Sequence, residues 1–298
     1  MEKKAFRSGY VSIVGRPNVG KSTLLNTILG QKVSIVTKKP QTTRNRIIGI
    51  KTIEGAQIIF IDTPGIHKPV TKFGELMVKE SKEAMREVDA ILFMVEPRLP
   101  GPGEEEVLKL LSKARDRKAV FLLINKVDTV KKPKMLPIMA EYSRIFRFDE
   151  IIPVSALQGD GIGVLLERLL AYLPEGPRYY PDDLVTDQLE RSMAAEIIRE
   201  KIMEATSEEV PHAVAVEIVS WEEPEGGAVR ISANIWVERE GQKGIIIGKS
   251  GQGLKAIGTA ARADIERLIN ARVFLELWVK LKRDWRSDTR AISELGLR

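Results

Sequence analysis

"GRPNVGKS", residues 15–22, follows the apolar run "YVSIV" and runs directly into "TLLNTILG". The stretch matches G-x-x-x-x-G-K-[ST], a pattern that a chain of this length would hold by chance about once in a hundred cases at average residue usage. A strand before the loop and a helix after it let main-chain N–H groups converge on phosphate oxygens. Gly15 and Gly20 allow close backbone approach, and Val19 and Thr23 complete the nucleotide-binding run. Lys21 can reach the β- and γ-phosphates, and the Ser22 hydroxyl suits Mg²⁺. The stretch therefore grips a phosphate, and the unit around it belongs to the α/β class.

Outward from this loop, residues 11–173 alternate short apolar runs with helical patterns, as βα repeats around a mostly parallel sheet require. The candidate strands are "YVSIVG", "RIIGIKT", "AQIIFID", "DAILFMV", "AVFLLIN" and "EIIPVSA". A nucleotide-binding domain over 1–173 is expected, then a linker over 174–183 where "PEGPRYYPDD" is rich in turn formers. A second domain follows over 184–284, and a basic C-terminal segment over 285–298. Its predicted order is α-β-β-α-α-β, with helix from 184 to 205, a half-buried strand carrying Val229, Ile231, Ala233, Ile235 and Val237 on one face, and a last strand with Val273, Leu275, Leu277, Val279 and Leu281 inward.

Composition narrows the chemistry. The 298 residues are 43% hydrophobic, enough for two cores, and hold no cysteine and two histidines. Thiol nucleophiles and thiolate metal sites are thereby excluded, and a His-rich metal site is not expected. No apolar run approaches the roughly 18 residues of a membrane span, and "MEKKAFRSGY" lacks the apolar stretch of a signal peptide, so a cytoplasmic protein is expected. The net charge of +6 is unevenly spread: +10 over 1–181, −10 over 182–240 and +6 over 241–298. A basic block points weakly to an anionic partner.

The base is selected elsewhere. "NKVD", Asn125, Lys126, Val127 and Asp128, follows a strand at the carboxyl edge of the sheet, where doubly wound folds bind ligands. The Asp128 carboxylate can accept from both N1–H and the N2 amine of guanine, whereas adenine would leave that charge unpaired. GTP is therefore favoured over ATP. Ser155 and Ala156 of "VSA" end another strand, and their N–H groups can donate to guanine O6. "DTPG" places Asp62 to hold Mg²⁺ through water and Gly65 to offer an N–H to the γ-phosphate. In "PQTTRN", Thr42 or Thr43 is expected to complete the Mg²⁺ shell, and Thr43 is the expected ligand.

Taken in order, "GRPNVGKS", "QTTR", "DTPG", "NKVD" and "SA" resemble the translation-factor-related GTPases of the Era type, and the resemblance covers nearly the whole chain. It implies a GTPase that turns GTP into GDP and phosphate with Mg²⁺, with Lys21, Asn18, Thr43 and Gly65 in catalytic roles. Members that orient water by a side chain carry Gln after the "DxxG" glycine; Ile66 stands there, which implies slow intrinsic turnover. In related GTPases of the "PNVGKS" kind the Asn matching Asn18 helps bind K⁺, so the resemblance implies that ion here.

"GKSG", residues 248–251, fits the G-x-x-G loop with which KH domains clamp a single-stranded RNA backbone. "GQKG" at 241–244 fits as well, so the motif alone decides nothing. Only the second has an apolar helix before it and a long amphipathic helix after it, within the order of a type II KH domain. Gly248, Lys249, Ser250 and Gly251 are the expected RNA contacts, with Lys282 and Arg283 beside them. Trp236, Trp278 and Trp285 receive no role. The segment after Lys280 is open to three readings: contact with RNA, a weak contact with an acidic membrane surface at the inner face of the cell, or a solvated helix. The resemblance further implies that the RNA is the 3′ end of 16S rRNA and that the task is 30S subunit assembly; a monomer is expected. Two rivals stand beside this reading: a GTPase whose second domain binds a protein, and a metabolic enzyme that transfers phosphoryl groups to a small acceptor.

Overall fold

The computed structural model describes residues 5–115 and 118–297. The outermost residues of the expected spans, 1–4 and 298, lie outside the described residues. The chain divides into two compact units, one of residues 1–34, 43–69 and 76–187, the other of residues 35–42, 70–75 and 188–298.

The first unit contains β1 (Arg7–Gly15), α1 (Lys21–Leu29), β2 (Ile47–Ile53), β3 (Ala56–Asp62), most of α2 (Lys72–Glu83), β4 (Ala90–Val95), α3 (Pro102–Ala114), β5 (Ala119–Ile124), α4 (Met135–Ile145), β6 (Glu150–Pro153) and α5 (Ile162–Tyr172). The sheet order is β2-β3-β1-β4-β5-β6. All neighbours are parallel except β2, which runs antiparallel to β3. Their register, Ile53 opposite Ala56, leaves Glu54 and Gly55 as a two-residue hairpin turn. The apolar runs are continuous because both sheet faces are covered. Along β4, Ala90, Leu92 and Met94 pack toward α1 and α5, while Ile91, Phe93 and Val95 pack toward α3 and α4. Replacing the fully buried Phe93 by Ala would cost about 3–5 kcal/mol.

Parallel pairing sets the carboxyl ends of β1, β3, β4, β5 and β6 along one edge, with Ile13 opposite Asp62, Gly15 opposite Met94, and Ile124 opposite both Val95 and Pro153. Every motif taken from the sequence for the nucleotide therefore leaves the sheet on the same side.

The stretch 174–183 holds no helix or strand, yet it is tied to this unit. Pro174 O accepts from Ser8 N, Gly176 N donates to Phe6 O, and the Gln57 amide bonds Tyr179 and Tyr180. Helix was expected from 184, and it begins at Glu190. The reason is tertiary: Val185 O accepts from Ile50 N and the Thr186 hydroxyl donates to Ile48 O. Residues 184–187 thus follow the outer edge of β2 and satisfy groups that an open edge would expose.

The second unit contains α6 (Glu190–Ala205), the short α7 (Val210–Ala213), β7 (Ala215–Glu222), β8 (Val229–Val237), α8 (Glu240–Ile247), α9 (Gln252–Ile269), β9 (Val273–Leu281) and α10 (Thr289–Glu294). Its sheet, β7-β8-β9, pairs β7 antiparallel and β9 parallel to β8. The parallel pair needs a crossover, which α8 and α9 supply. Val229, Ile231, Ala233, Ile235 and Val237 face a core shared with Ile197 and Ile198 of α6, Ile246 of α8 and Ile257, Ala261 and Ile265 of α9. The last residues are folded as well: Trp285, Ala291, Ile292 and Leu297 are buried, and the Trp285 indole donates to Ala213 O.

Candidate functional site

The loop after β1 turns on Asn18, at φ 64°, and on Gly20, at φ 103°. Gly20 also has a packing reason to lack a side chain, since a Cβ there would meet Asn125 Nδ2 at 2.3 Å. That amide occupies the space for a purpose: Asn125 Nδ2 donates to Val19 O at 2.8 Å, while its Oδ1 accepts from Ala156 N at 2.8 Å. One side chain thereby joins the phosphate loop to the turn after β6. Lys126 Nζ reaches the same loop at Asn18 O, 2.8 Å away.

Lys21 opens α1, is buried, and donates from Nζ to Arg16 O at 3.2 Å. Burial pushes its ammonium below the usual lysine range, with the Asp62 carboxylate pulling the other way. Asp62 ends β3, and burial pushes its carboxyl up, opposed by Lys21 and by hydroxyl donors. Three of these converge on one oxygen: Ser22 Oγ lies 2.6 Å, Ser34 Oγ 3.3 Å and Thr43 Oγ1 3.4 Å from Asp62 Oδ2. Ser22 Oγ and Thr43 Oγ1 are 2.8 Å apart. The other carboxylate oxygen, Asp62 Oδ1, is buried without a hydrogen-bond partner among the described residues. Two hydroxyls and a carboxylate with an unsatisfied oxygen form an all-oxygen donor set that fits Mg²⁺.

The two threonines part company. Thr43 joins Ser22 and Asp62, whereas the Thr42 hydroxyl donates to Lys39 O at 2.7 Å and lies 2.8 Å from Thr37 Oγ1. After β3, Gly65 lies beside the phosphate loop, and the next N–H, of Ile66, donates to Gly15 O at 3.0 Å. The Ile66 side chain is buried with Val14, Ile61 and Val107. No side chain at 66 can therefore orient water.

At the base-facing end, Ser155 Oγ donates to Asp128 Oδ1 at 2.6 Å and holds the carboxylate that was assigned to guanine. The N–H groups of Ser155 and Ala156 are engaged within the protein, by Asp160 O and Asn125 Oδ1. These two residues brace the site in this structure rather than presenting those donors outward. Sequence reasoning missed three supports. Ser34 is an ordinary serine until the fold brings it to Asp62. The Thr27 hydroxyl donates to Ala156 O at 2.6 Å. Glu104 caps α3 through the Gly101 N–H and binds Arg16 of the phosphate loop at 3.2 Å and Arg98 at 3.0 Å. Only Glu104 left a trace in sequence, as an acid in the first turn of a helix that begins with "GPGEEE".

In the second unit, residues 248–251 form the turn between α8 and α9. Gly248, at φ 69°, sits so near the start of α9 that a Cβ would come within 2.9 Å of Gly253 N. Lys249 and Ser250 are exposed, and Ser250 itself has φ 49°. "GQKG" falls inside α8 and forms no loop. Lys282 Nζ pairs with Glu294 at 2.7 Å and lies 5.7 Å from the centre of the Trp236 ring; Arg283 is exposed. Arg286 is held by Glu238, and Trp285 is core. Trp278 is 61% exposed on the outer sheet face.

Comparison with known proteins agrees with this division. The family described as 50S ribosome-binding GTPase matches residues 10–126, and the KH domain family matches 209–286. GTPase Era of Geobacter metallireducens is 54% identical over 298 residues, covering 99% of each chain. GTPase Era of Ruminiclostridium cellulolyticum is 51% identical over 292 residues, covering 98% of each. Among solved structures, Era in complex with MgGDPNP and nucleotides 1506–1542 of 16S ribosomal RNA has a TM-score of 0.95 at 43% identity, covering 98% of this chain and 99% of that one. A variant of Aquifex aeolicus Era bound to GDP and AlF4⁻ has a TM-score of 0.94 at the same identity and coverage.

Proposed function

The chain belongs to the Era family of GTPases, and from that premise we propose that it is a Mg²⁺-dependent GTP switch that binds the 3′ end of 16S rRNA and assists 30S subunit assembly. The observation that carries the catalytic part is the meeting of Ser22, Thr43 and Asp62. Main-chain N–H groups of residues 15–22 hold the phosphates in line, and Lys21 lies between the β- and γ-phosphates, where charge grows as the bond breaks. Ser22 and Thr43, with Asp62 through water, would hold Mg²⁺, which would supply positive charge beside the phosphates. The Gly65 N–H faces the γ-phosphate. With the apolar Ile66 buried, no side chain at that position orients water, and intrinsic turnover is slow.

Asp128, steered by Ser155, selects guanine. Asn18 would help hold K⁺, and that ion would supply positive charge beside the phosphates. That part is tested by hydrolysis rates in potassium and sodium buffers: equal rates remove it. In the second unit the exposed Lys249 and Ser250, with the backbone of Gly248 and Gly251, take the RNA phosphates, and Arg283 with Lys282 extends the basic edge. The switch then works by ordering residues 36–48 and 65–80 with GTP, which alters the affinity of the second unit for RNA.

No helix among the described residues is long and apolar enough to cross a membrane. The reading places a monomer in the cytoplasm, and the exposed Arg283 and Arg290 are the residues that would meet an acidic membrane surface. Co-sedimentation with anionic vesicles tests that contact. The decisive experiment for the whole reading is RNA binding by the protein loaded with MgGDPNP or MgGDP across a salt series. A steep salt dependence with unequal affinities is expected; binding indifferent to salt would instead favour a protein partner for the second unit.

A further inference from the structure

Residues 35–42 lie between two groups of the metal site, since Ser34 Oγ and Thr43 Oγ1 both donate to Asp62 Oδ2. Yet the loop itself folds with the second unit. Two consecutive side chains of α6 hold it there. Glu200 accepts from Val36 N at 3.0 Å, and Arg199 donates through Nη2 to Thr42 O. One grips the chain two residues after Ser34, the other one residue before Thr43.

Both gripping residues are buried charges, Arg199 1% exposed and Glu200 2% exposed. Such burial is strongly unfavourable unless each charge is paired. Arg199 is paired by Glu196, to which Nε donates at 2.9 Å, and touches Met203 Sδ. Glu200 lies 3.5 Å from Lys201, which also pairs with Asp264 of α9 at 3.0 Å. The core of the unit needs neither charge, because Ile197, Ile198 and Ile202 already present the apolar stripe of α6. What the two charged ends share is a main-chain target in the same loop. Gripping main-chain groups fixes the path of the loop whatever its side chains are, and the Thr42 carbonyl belongs to the peptide unit that carries the Thr43 nitrogen.

We infer that Arg199 and Glu200 are positioning residues for nucleotide hydrolysis: they hold the two ends of the 35–42 loop so that the Thr43 hydroxyl stands at Ser22 and Asp62. The inference rests on the reading of Thr43 as a metal-binding hydroxyl that matters when the γ-phosphate is present. A loop released from α6 would cost GTP its Thr43 contact and leave GDP, which lacks that phosphate, unaffected.

The test uses the full chain. MgGDPNP and MgGDP are titrated into the unmodified protein, Glu200→Ala, Glu200→Gln, Arg199→Met and Thr43→Ala, and amide exchange at Val36 is followed in the nucleotide-free proteins. Glu200→Ala and Arg199→Met are expected to weaken MgGDPNP about tenfold with MgGDP within twofold, by loss of one charge-assisted hydrogen bond to the loop. Exchange at Val36 should quicken in Glu200→Ala. Glu200→Gln keeps an acceptor for the Val36 N–H, so it should recover most of the affinity and the protection, and it serves should the alanine variant not fold. Equal weakening of both nucleotides would reduce the pair to ordinary structural residues and overturn the inference. If Thr43→Ala separates the nucleotides and the α6 variants do not, the inference alone falls. If Thr43→Ala fails to separate them, the metal-ligand reading falls and takes the inference with it.

Discussion

In the loop at 15–22 the lysine is buried and its ammonium is held by a main-chain carbonyl; in the loop at 248–251 the lysine is exposed and the turn is closed by Gly251 N donating to Gly248 O. Both loops turn on glycine at positive φ, Gly20 at 103° and Gly248 at 69°. The first, however, is assembled from distant residues that fix it before any ligand arrives, Asn125 and Lys126 from beyond β5 and Glu104 from α3. The second is made by its own neighbours in sequence. Fixed groups in a low-dielectric setting act strongly and are little affected by salt, whereas exposed ones act weakly and are screened. The difference teaches that two glycine-lysine loops can share a motif style and differ in everything that surrounds them.

The largest effect should fall on the buried side. Lys21→Ala removes a charge-assisted donor from a preorganised site, and GTP affinity by titration calorimetry should drop roughly a hundredfold. A loss under threefold would break the contrast between the two loops. Asp128→Asn should weaken GTP by roughly ten- to a hundredfold and raise the affinity for xanthosine triphosphate, whose C2 carbonyl accepts where guanine donates. Competition between the two nucleotides measures this. On the exposed side, Lys249→Asp with Ser250→Asp should lower affinity for single-stranded RNA about tenfold and flatten the plot of log affinity against log salt by about one. An RNA loss indifferent to salt would show that this loop also works by enclosure.

The smallest effect concerns support of the buried loop. Burial alone would raise the Glu104 carboxyl, but hydrogen bonds from Arg16 and from backbone N–H groups hold it below the usual range. A carboxyl lowered on folding contributes stability above its unfolded value, and that contribution is lost as pH falls through the folded one. Because Arg16 and Arg98 are partly exposed, the contribution is about 1 kcal/mol. Glu104→Gln should destabilise the protein by that amount near neutral pH and show a shallower loss of stability below about pH 4.5. Denaturant unfolding at pH 7 and pH 3.5 reads it.

The phosphate site was legible because its grip is local: eight consecutive residues carry the glycines, the lysine and the hydroxyl, and the flanking periodicities supply strand and helix. "NKVD" was legible for the same reason. Ser34, Arg199 and Glu200 were not, since each is a common residue whose meaning comes from a partner up to about 160 residues away. The start of α6 was misplaced because its first expected turn is spent on the main chain of β2, a choice no local propensity records. The antiparallel β2 was hidden in a pattern that otherwise repeats β with α, although Glu54 and Gly55 between two apolar runs signalled a hairpin. The final segment was weighed by its charges, whereas the structure buries its Trp285 and Ile292.

The Asn125 amide stands between the carbonyl of Val19 and the N–H of Ala156. Anything that shifts this side chain disturbs both ends of a bound nucleotide together. Drift at this position has no gentle first step: a lineage cannot relax its choice of base there and keep its hold on the phosphates. Coupled failure of that kind narrows the mutational routes by which such a site can acquire a new substrate.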